Sequence, residues 1–250
     1  SGPTTVCVAS TITLTNSVAG GDWTSSATGT ATVGLSSGIV TGVAGGLVTI
    51  TYTPAGCTYA TYNVSVNPLP SVITGPSNVC VGSTITLADA TPGGSWSSSN
   101  LTVAMVGSTG IVSGISGGGV NILYASPTTG CQAVKSIVVD PLPGAITGPT
   151  EVCELANITL SDPTPGGNFS GGGANASVAF SGVVTGVAAG TATVTYMIAT
   201  SGCYVTTPIT INPAPAPITG TIVVCENTTT ALSDADAGGV WSSANTARAT

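Results

Sequence analysis

The chain has 250 residues, of which only 11 are charged: nine are acidic and two, Lys135 and Arg248, are basic. Two cations and a net charge of −7 cannot neutralise a run of phosphates, which excludes nucleic acid and anionic membrane surfaces as partners. There is no histidine, and no run of about 18 uninterrupted apolar residues predicts a membrane span. Patterned sequence begins at Ser1 without a secretory leader, so we expect a processed or internal fragment.

Seven cysteines mark an internal repeat. The first cysteine of each repeat recurs at intervals of about 73 residues, and a second follows it by about 50 in the first three repeats. An aromatic residue always lies at the same distance after the first cysteine. These aromatics are Trp23, Trp96, Phe169 and Trp241. We therefore predict repeats at 1–70, 71–143 and 144–215, with 216–250 the first half of a fourth.

Within a repeat, apolar and hydroxyl residues alternate with a period of two, which predicts short half-buried strands. In the first repeat the pattern occurs at residues 12–14, 48–52 and 64–66. Turn signals such as Thr-Pro-Gly-Gly at 91–94 separate these segments, and no stretch shows a helical period. The predicted fold is all-β, with each repeat of about 72 residues forming an antiparallel two-sheet sandwich in an extended string.

Proline-rich segments join the repeats, for example Asn-Pro-Leu-Pro-Ser-Val-Ile-Thr-Gly-Pro at 67–76. Alternating prolines restrict φ and favour extended backbone, so we expect short and fairly stiff joints.

The paired cysteines predict one disulfide in each repeat, since a sandwich this small buries only about 60 % of its unfolded surface. We predict three bonds: Cys7–Cys57, Cys80–Cys131 and Cys153–Cys203. Free buried thiols or metal ligands are the alternative, although the absence of Cys-x-x-Cys spacing and of histidine argues against zinc. Disulfides would place the protein outside the cytosol. Cys225 has no partner by this spacing, so it pairs either beyond Thr250 or with another chain.

Three other features have both a structural and a functional interpretation. The repeated aromatics favour packing in the core over a sugar-stacking platform. Asp234 and Asp236 resemble part of a calcium loop, but their counterparts in other repeats lack the second carboxylate, which favours turn capping. Six Asn-x-Ser/Thr sequons occur in a chain rich in Ser and Thr, and we attribute them to composition.

The segments 93–124, 181–196 and 238–250 resemble bacterial immunoglobulin-like domains of group 2 (BIG2), whose marks are a tryptophan-serine pair and a Gly-Val-Val-Thr-Gly-Val-Ala-Ala-Gly-Thr pattern. With a cysteine pair in each repeat, the tandem resembles very long surface and secreted proteins of gliding Gram-negative bacteria, often exported by the type IX system. The resemblance implies an immunoglobulin-like (Ig-like) fold and a role as a stalk, adhesin or extracellular filament.

The expected function is structural: an extracellular or cell-surface array, without cofactor or bound metal, whose partners are other copies of itself. Scarce charge leaves sheet edges undefended, which predicts lateral packing of copies or dense glycosylation. The alternative is an adhesin module whose sandwich-end loops bind a glycan or a surface protein. An enzyme is not expected, because the few carboxylates are scattered and no histidine activates the hydroxyls.

Overall fold

The computed structural model describes residues 1–56, 58–236 and 238–248. The regular structure of this part of the chain consists of β-strands. Residues divide into two compact units, Ser1–Pro141 and Leu142–Thr250. The first unit contains two sets of seven strands, and the second contains a third set followed by two short strands.

The three sets have nearly the same strand lengths and spacing. The first comprises β1 (Thr5–Cys7), β2 (Thr11–Thr13), β3 (Asp22–Ser25), β4 (Ala31–Val33), β5 (Ile39–Gly42), β6 (Gly46–Thr53) and β7 (Ala60–Asn67). The second comprises β8 (Asn78–Cys80), β9 (Thr84–Thr86), β10 (Ser95–Ser98), β11 (Ala104–Val106), β12 (Ile111–Gly114), β13 (Gly118–Ala125) and β14 (Gln132–Asp140). The third comprises β15 (Glu151–Cys153), β16 (Asn157–Thr159), β17 (Gly167–Gly171), β18 (Ala176–Val178), β19 (Val183–Gly186), β20 (Gly190–Ile198) and β21 (Tyr204–Asn212).

Each set folds into an Ig-like sandwich of a four-stranded and a three-stranded sheet. In the first set the sheet orders are β1-β7-β6-β3 and β2-β5-β4, and the other two sets repeat this topology. Most neighbours are antiparallel, as predicted, but the first strand of each set runs parallel to the last. The chain crosses to the other sheet after β1, so no hairpin constrains β1 to run antiparallel to its neighbour.

Alternation along the strands places one residue in two between the sheets. On β6, Val48, Ile50 and Tyr52 are buried, and on β7, Val64 and Val66 meet them from the neighbouring strand. Each of the three sandwiches has its own cluster of buried residues drawn from both of its sheets. Apolar burial of about 25 cal/mol per Å² is the main stabilising contribution to such a core.

The joint before the second sandwich is part of that sandwich. Ile73 is buried in the second core, and Thr74 and Ala88 exchange backbone hydrogen bonds of 2.8 and 3.0 Å. The Ser71 amide donates to Thr91 Oγ1 at 2.8 Å. The joint was expected to be short and fairly stiff, and the structure shows that its second half is bonded to the next sandwich.

The described residues after β21 form little regular structure. Its strands are β22 (Thr219–Gly220) and β23 (Leu232–Ser233), which pair with each other. The Thr219–Ser233 pair repeats the Thr147–Ser161 bridge of the third sandwich.

Candidate functional site

The most distinctive chemical feature of the structure is a disulfide between two sandwiches. Cys7 of the first sandwich bonds to Cys131 of the second, with Cα atoms 5.7 Å apart. Cys131 is 1 % exposed, and its sulfur lies 4.0 Å from the carbonyl oxygen of Asn67, at the end of β7. The bond therefore crosses from the first sandwich to the second, next to the start of the joint.

The predicted pairing within repeats is wrong. Because Cys7 bonds to Cys131, neither Cys7–Cys57 nor Cys80–Cys131 forms. Cys153 is a free, exposed thiol, which rules out Cys153–Cys203. Cys80 and Cys203 are each disulfide-bonded, and Cys225 is free and exposed. Cys57 itself lies outside the described residues.

The place where the first strand pairs along the last strand explains why Cys80 and Cys131 of the second repeat cannot form a bond. Cys80 ends β8 opposite Asp140, at the last residue of β14, whereas Cys131 precedes the first residue of β14. At about 3.3 Å per residue, the nine residues of β14 separate these positions by roughly 30 Å. A disulfide requires Cα atoms about 4.4–6.8 Å apart.

A second repeated feature is an aromatic pair at one end of each sandwich. Trp23 on β3 lies directly across from Tyr52 on β6, with ring centroids 4.6 Å apart. The equivalent pairs, Trp96–Tyr124 and Phe169–Tyr196, have centroids 4.7 Å apart. Trp23 and Phe169 are buried, and Trp96 is partly buried against its core. Tilted rings at this separation are a favourable aromatic geometry.

Trp241 differs from the other three aromatics, since it is 55 % exposed and not a core residue. In the three sandwiches the covering tyrosine follows the aromatic at a nearly constant spacing along the chain. Residues 216–250 contain no tyrosine, so none of them covers the Trp241 ring as Tyr52 covers that of Trp23.

Each tyrosine hydroxyl closes the loop between the second and third strands of its set. The Gly21 amide donates to the Tyr52 hydroxyl at 2.8 Å, and this hydroxyl donates to the Val18 carbonyl at 2.6 Å. Tyr124 and Tyr196 make the same two bonds in their own sandwiches. Sequence reasoning missed this anchor, although the recurring Gly-Gly before the aromatic, with a tyrosine at a nearly constant spacing after it, was a signal for it.

The aspartates have a turn geometry. The carboxylate of Asp234 accepts the Asp236 amide at 2.8 Å, and Asp236 accepts the Ala216 amide at 2.6 Å. Asp89, Asp162 and Asn16 cap equivalent turns through their own side chains. No group of three or more potential metal ligands occurs among the described residues.

A groove of about 470 Å³ lies at the aromatic end of the first sandwich, lined in part by Thr15, Trp23 and Tyr52. Ser1 and Thr15 exchange backbone hydrogen bonds beside it, as Thr74 and Ala88 do in the second sandwich.

No family model and no curated protein matches the chain. It is similar in fold to invasin, a bacterial integrin-binding protein, at 18 % identity over 85 % of this chain and 58 % of that one, with a TM-score of 0.38. It is also similar to the surface-layer protein SbsC, at 17 % identity, 81 % and 37 % coverage and a TM-score of 0.25. A third similar structure is that of Drosophila N-cadherin domains EC1–3, at 10 % identity over 81 % of this chain and 91 % of that one, with a TM-score of 0.24.

The chain thus spans well under half of that SbsC structure, and at these identities the likeness concerns the fold alone. Across the part of the chain that the structure covers, no helix is both long enough and apolar enough to cross a bilayer.

Proposed function

We propose that the chain is a structural segment of an extracellular appendage, stalk or filament that mediates attachment. It would consist of rigid BIG2-type repeats, at 1–70, 71–143, 144–215 and 216–250, that pack laterally with other copies. A gliding Gram-negative source and export by the type IX system belong to the same proposal. The proposal assigns no catalytic role to the chain.

The observation that carries this proposal is the Cys7–Cys131 bond between successive sandwiches. A bond within one sandwich would stabilise that domain alone, whereas a bond between two domains restricts their relative movement. Restricted movement is useful to a shaft and of no evident use to independent binding modules. A persistent disulfide also supports an extracellular location, because cytosolic thiols are kept reduced.

Uniform sandwich ends support a structural role over a binding one. The tyrosine anchor closes the same loop in all three sandwiches with bonds of 2.5–3.0 Å. Binding loops usually vary on a constant framework, but these loops keep the same closure and nearly the same length.

Electron microscopy of source cells labelled with an antibody against residues 1–250 tests the proposal. We expect the label to follow a thread or bundle at the cell surface. Label confined to the cytosol would contradict it. Sedimentation of the isolated, unglycosylated chain tests lateral packing separately: association should increase with concentration, and a strict monomer at high concentration would rule out packing of copies.

A further inference from the structure

We propose that the Cys7–Cys131 bond is a covalent strap that carries tension past both sandwiches of the Ser1–Pro141 unit. This inference rests on the proposed structural function, because it supposes that the chain is loaded along its length. It assigns the bond a specific role: the disulfide carries the load, so that the hydrophobic cores of the two sandwiches are not pulled apart.

The terminal strands of each sandwich resist a pull even without the strap. In the second sandwich, β8 and β14 are parallel neighbours, joined by Val81 N–Asp140 O and Val138 N–Ser77 O bonds of 2.9 and 2.8 Å. Opposite pulls on two parallel terminal strands act along the strands, while the hydrogen bonds run between them. All the bonds between the two strands are therefore loaded together instead of opening one after another.

The strap joins two of these terminal strands. Cys7 is the last residue of β1, the first strand of the first sandwich. Cys131 immediately precedes β14, the last strand of the second sandwich. A pull that enters at Ser1 passes through β1, crosses the disulfide and leaves through β14. Residues 8–130, which contain most of both cores, lie outside this covalent path.

The strap changes the extensible length of the unit by a large factor. With the bond closed, the shortest covalent path from Ser1 to Leu142 contains only residues 1–7 and 131–142, or roughly 65 Å when fully extended. Without the bond the whole segment from Ser1 to Leu142 can extend, to roughly 480 Å. The pairing that the repeat spacing suggested, Cys7–Cys57 with Cys80–Cys131, would leave an intermediate path of roughly 145 Å.

The folded protein shields one of the two sulfurs of the strap, that of Cys131, more than the other. Thiol–disulfide exchange requires that a thiolate reach one of the two sulfurs. Cys131 is 1 % exposed and Cys7 is partly buried, so attack on the Cys131 sulfur requires local opening.

Single-molecule force spectroscopy on the full chain tests the strap. One handle precedes Ser1, and the second is attached to an azide-bearing residue that replaces Leu142, an exposed position at the unit boundary. This placement measures the unit without contributions from later residues. The oxidised chain should show no unfolding step and should stop extending at roughly 65 Å. A reductant added under force should then release steps that sum to roughly 400 Å.

The Cys7→Ser/Cys131→Ser double variant should show the same steps without reductant. If that variant does not fold, the reductant experiment on the unchanged chain still tests whether the disulfide limits the extension. The Cys153→Ser variant is the matched control, because Cys153 is a free thiol, and it should behave as the unchanged chain. An oxidised chain that extends to roughly 145 Å, or that releases the whole of the roughly 400 Å, would overturn the proposal. Neither result bears on the location or shape of the native particle, which microscopy tests independently.

Discussion

At the scale of single residues, the tyrosine anchor is the feature on which each sandwich end depends. Its hydroxyl accepts one backbone amide and donates to one backbone carbonyl, and its ring packs on the aromatic opposite. Both backbone groups are partly buried. An amide that loses the tyrosine hydroxyl therefore has neither a protein acceptor nor free access to water. A lost partner of this kind costs about 1–3 kcal/mol.

The Tyr124→Phe variant removes the hydroxyl and leaves the ring. We expect the unfolding midpoint of the second sandwich to fall by about 4–8 °C for each kcal/mol lost, because the Gly94 amide then has no acceptor. Thermal unfolding followed by circular dichroism measures this change. Tyr204→Phe is the control, since Tyr204 is 57 % exposed and should tolerate the change. Equal effects of the two variants would contradict the role of the anchor.

Gly94 illustrates a close approach that only glycine permits. A Cβ at Gly94 would lie 2.5 Å from the Tyr124 ring and 2.6 Å from the Ala125 carbonyl oxygen. Gly94→Ala must therefore displace the tyrosine or the strand, and we expect it to destabilise the protein by at least about 1–3 kcal/mol. Gly119→Ala is the matched control, because a Cβ there meets nothing within 4 Å. Denaturant titration of both variants compares their free energies of unfolding. An unchanged free energy of unfolding for Gly94→Ala would show that the Tyr124 ring can move aside without cost.

At the scale of elements, the joint acts as an extra edge of the following sandwich. Thr74 pairs with Ala88, and Ile73 is 3 % exposed, whereas its neighbour Val72 is 83 % exposed. Successive joint residues therefore point alternately toward the core and toward solvent, as strand residues do.

Ile73→Ala tests whether the joint contributes to the core. Truncation of a buried isoleucine typically costs about 2–5 kcal/mol, so we expect a loss in this range in the stability of the second sandwich. Val72→Ala, one residue away on the exposed side, should change the free energy of unfolding by less than about 0.5 kcal/mol. Urea titration monitored by tryptophan fluorescence would measure both, and a null effect of Ile73→Ala would show that the joint folds independently of the sandwich.

At the scale of the whole molecule, the strap closes a loop that spans two domains. Its sequence separation is 124, more than twice that of any pair predicted from the spacing. The chain-entropy estimate for so long a loop is on the order of 5 kcal/mol, and measured values are often smaller. We expect the Cys7→Ser/Cys131→Ser variant to lose about 3–5 kcal/mol, measured by guanidinium titration against Cys153→Ser. A loss below about 1 kcal/mol would show that the bond does not constrain the unfolded chain.

The charge composition predicts a second property of the whole molecule. Without histidine, the chain has no side chain that ordinarily changes charge between pH 5 and 8, and carboxyl groups ordinarily titrate below this window. The melting temperature should therefore vary by no more than a few degrees across it. Calorimetric scans at several pH values and constant ionic strength measure this. A larger change in melting temperature between pH 5 and 8 would contradict the prediction.

Strand positions and the core were predictable because both depend on local pattern. The alternation at 48–52 places Val48, Ile50 and Tyr52 on one face of any strand, whatever its neighbours are. The packing of Trp23 with Tyr52 was not evident, because the long segment between them gives no information on strand order.

The sequence by itself determined the all-β class, the repeat of about 73 residues and the near absence of charge, since these follow from periodicity and composition. Only the tertiary structure decided which cysteines meet. Spacing along the chain predicted Cys7 with Cys57, but the register of the first strand places each first cysteine beside the final residue of its own last strand. Disulfide partners are chosen by distance in space, and the register of the first strand on the last, which local pattern does not encode, sets that distance.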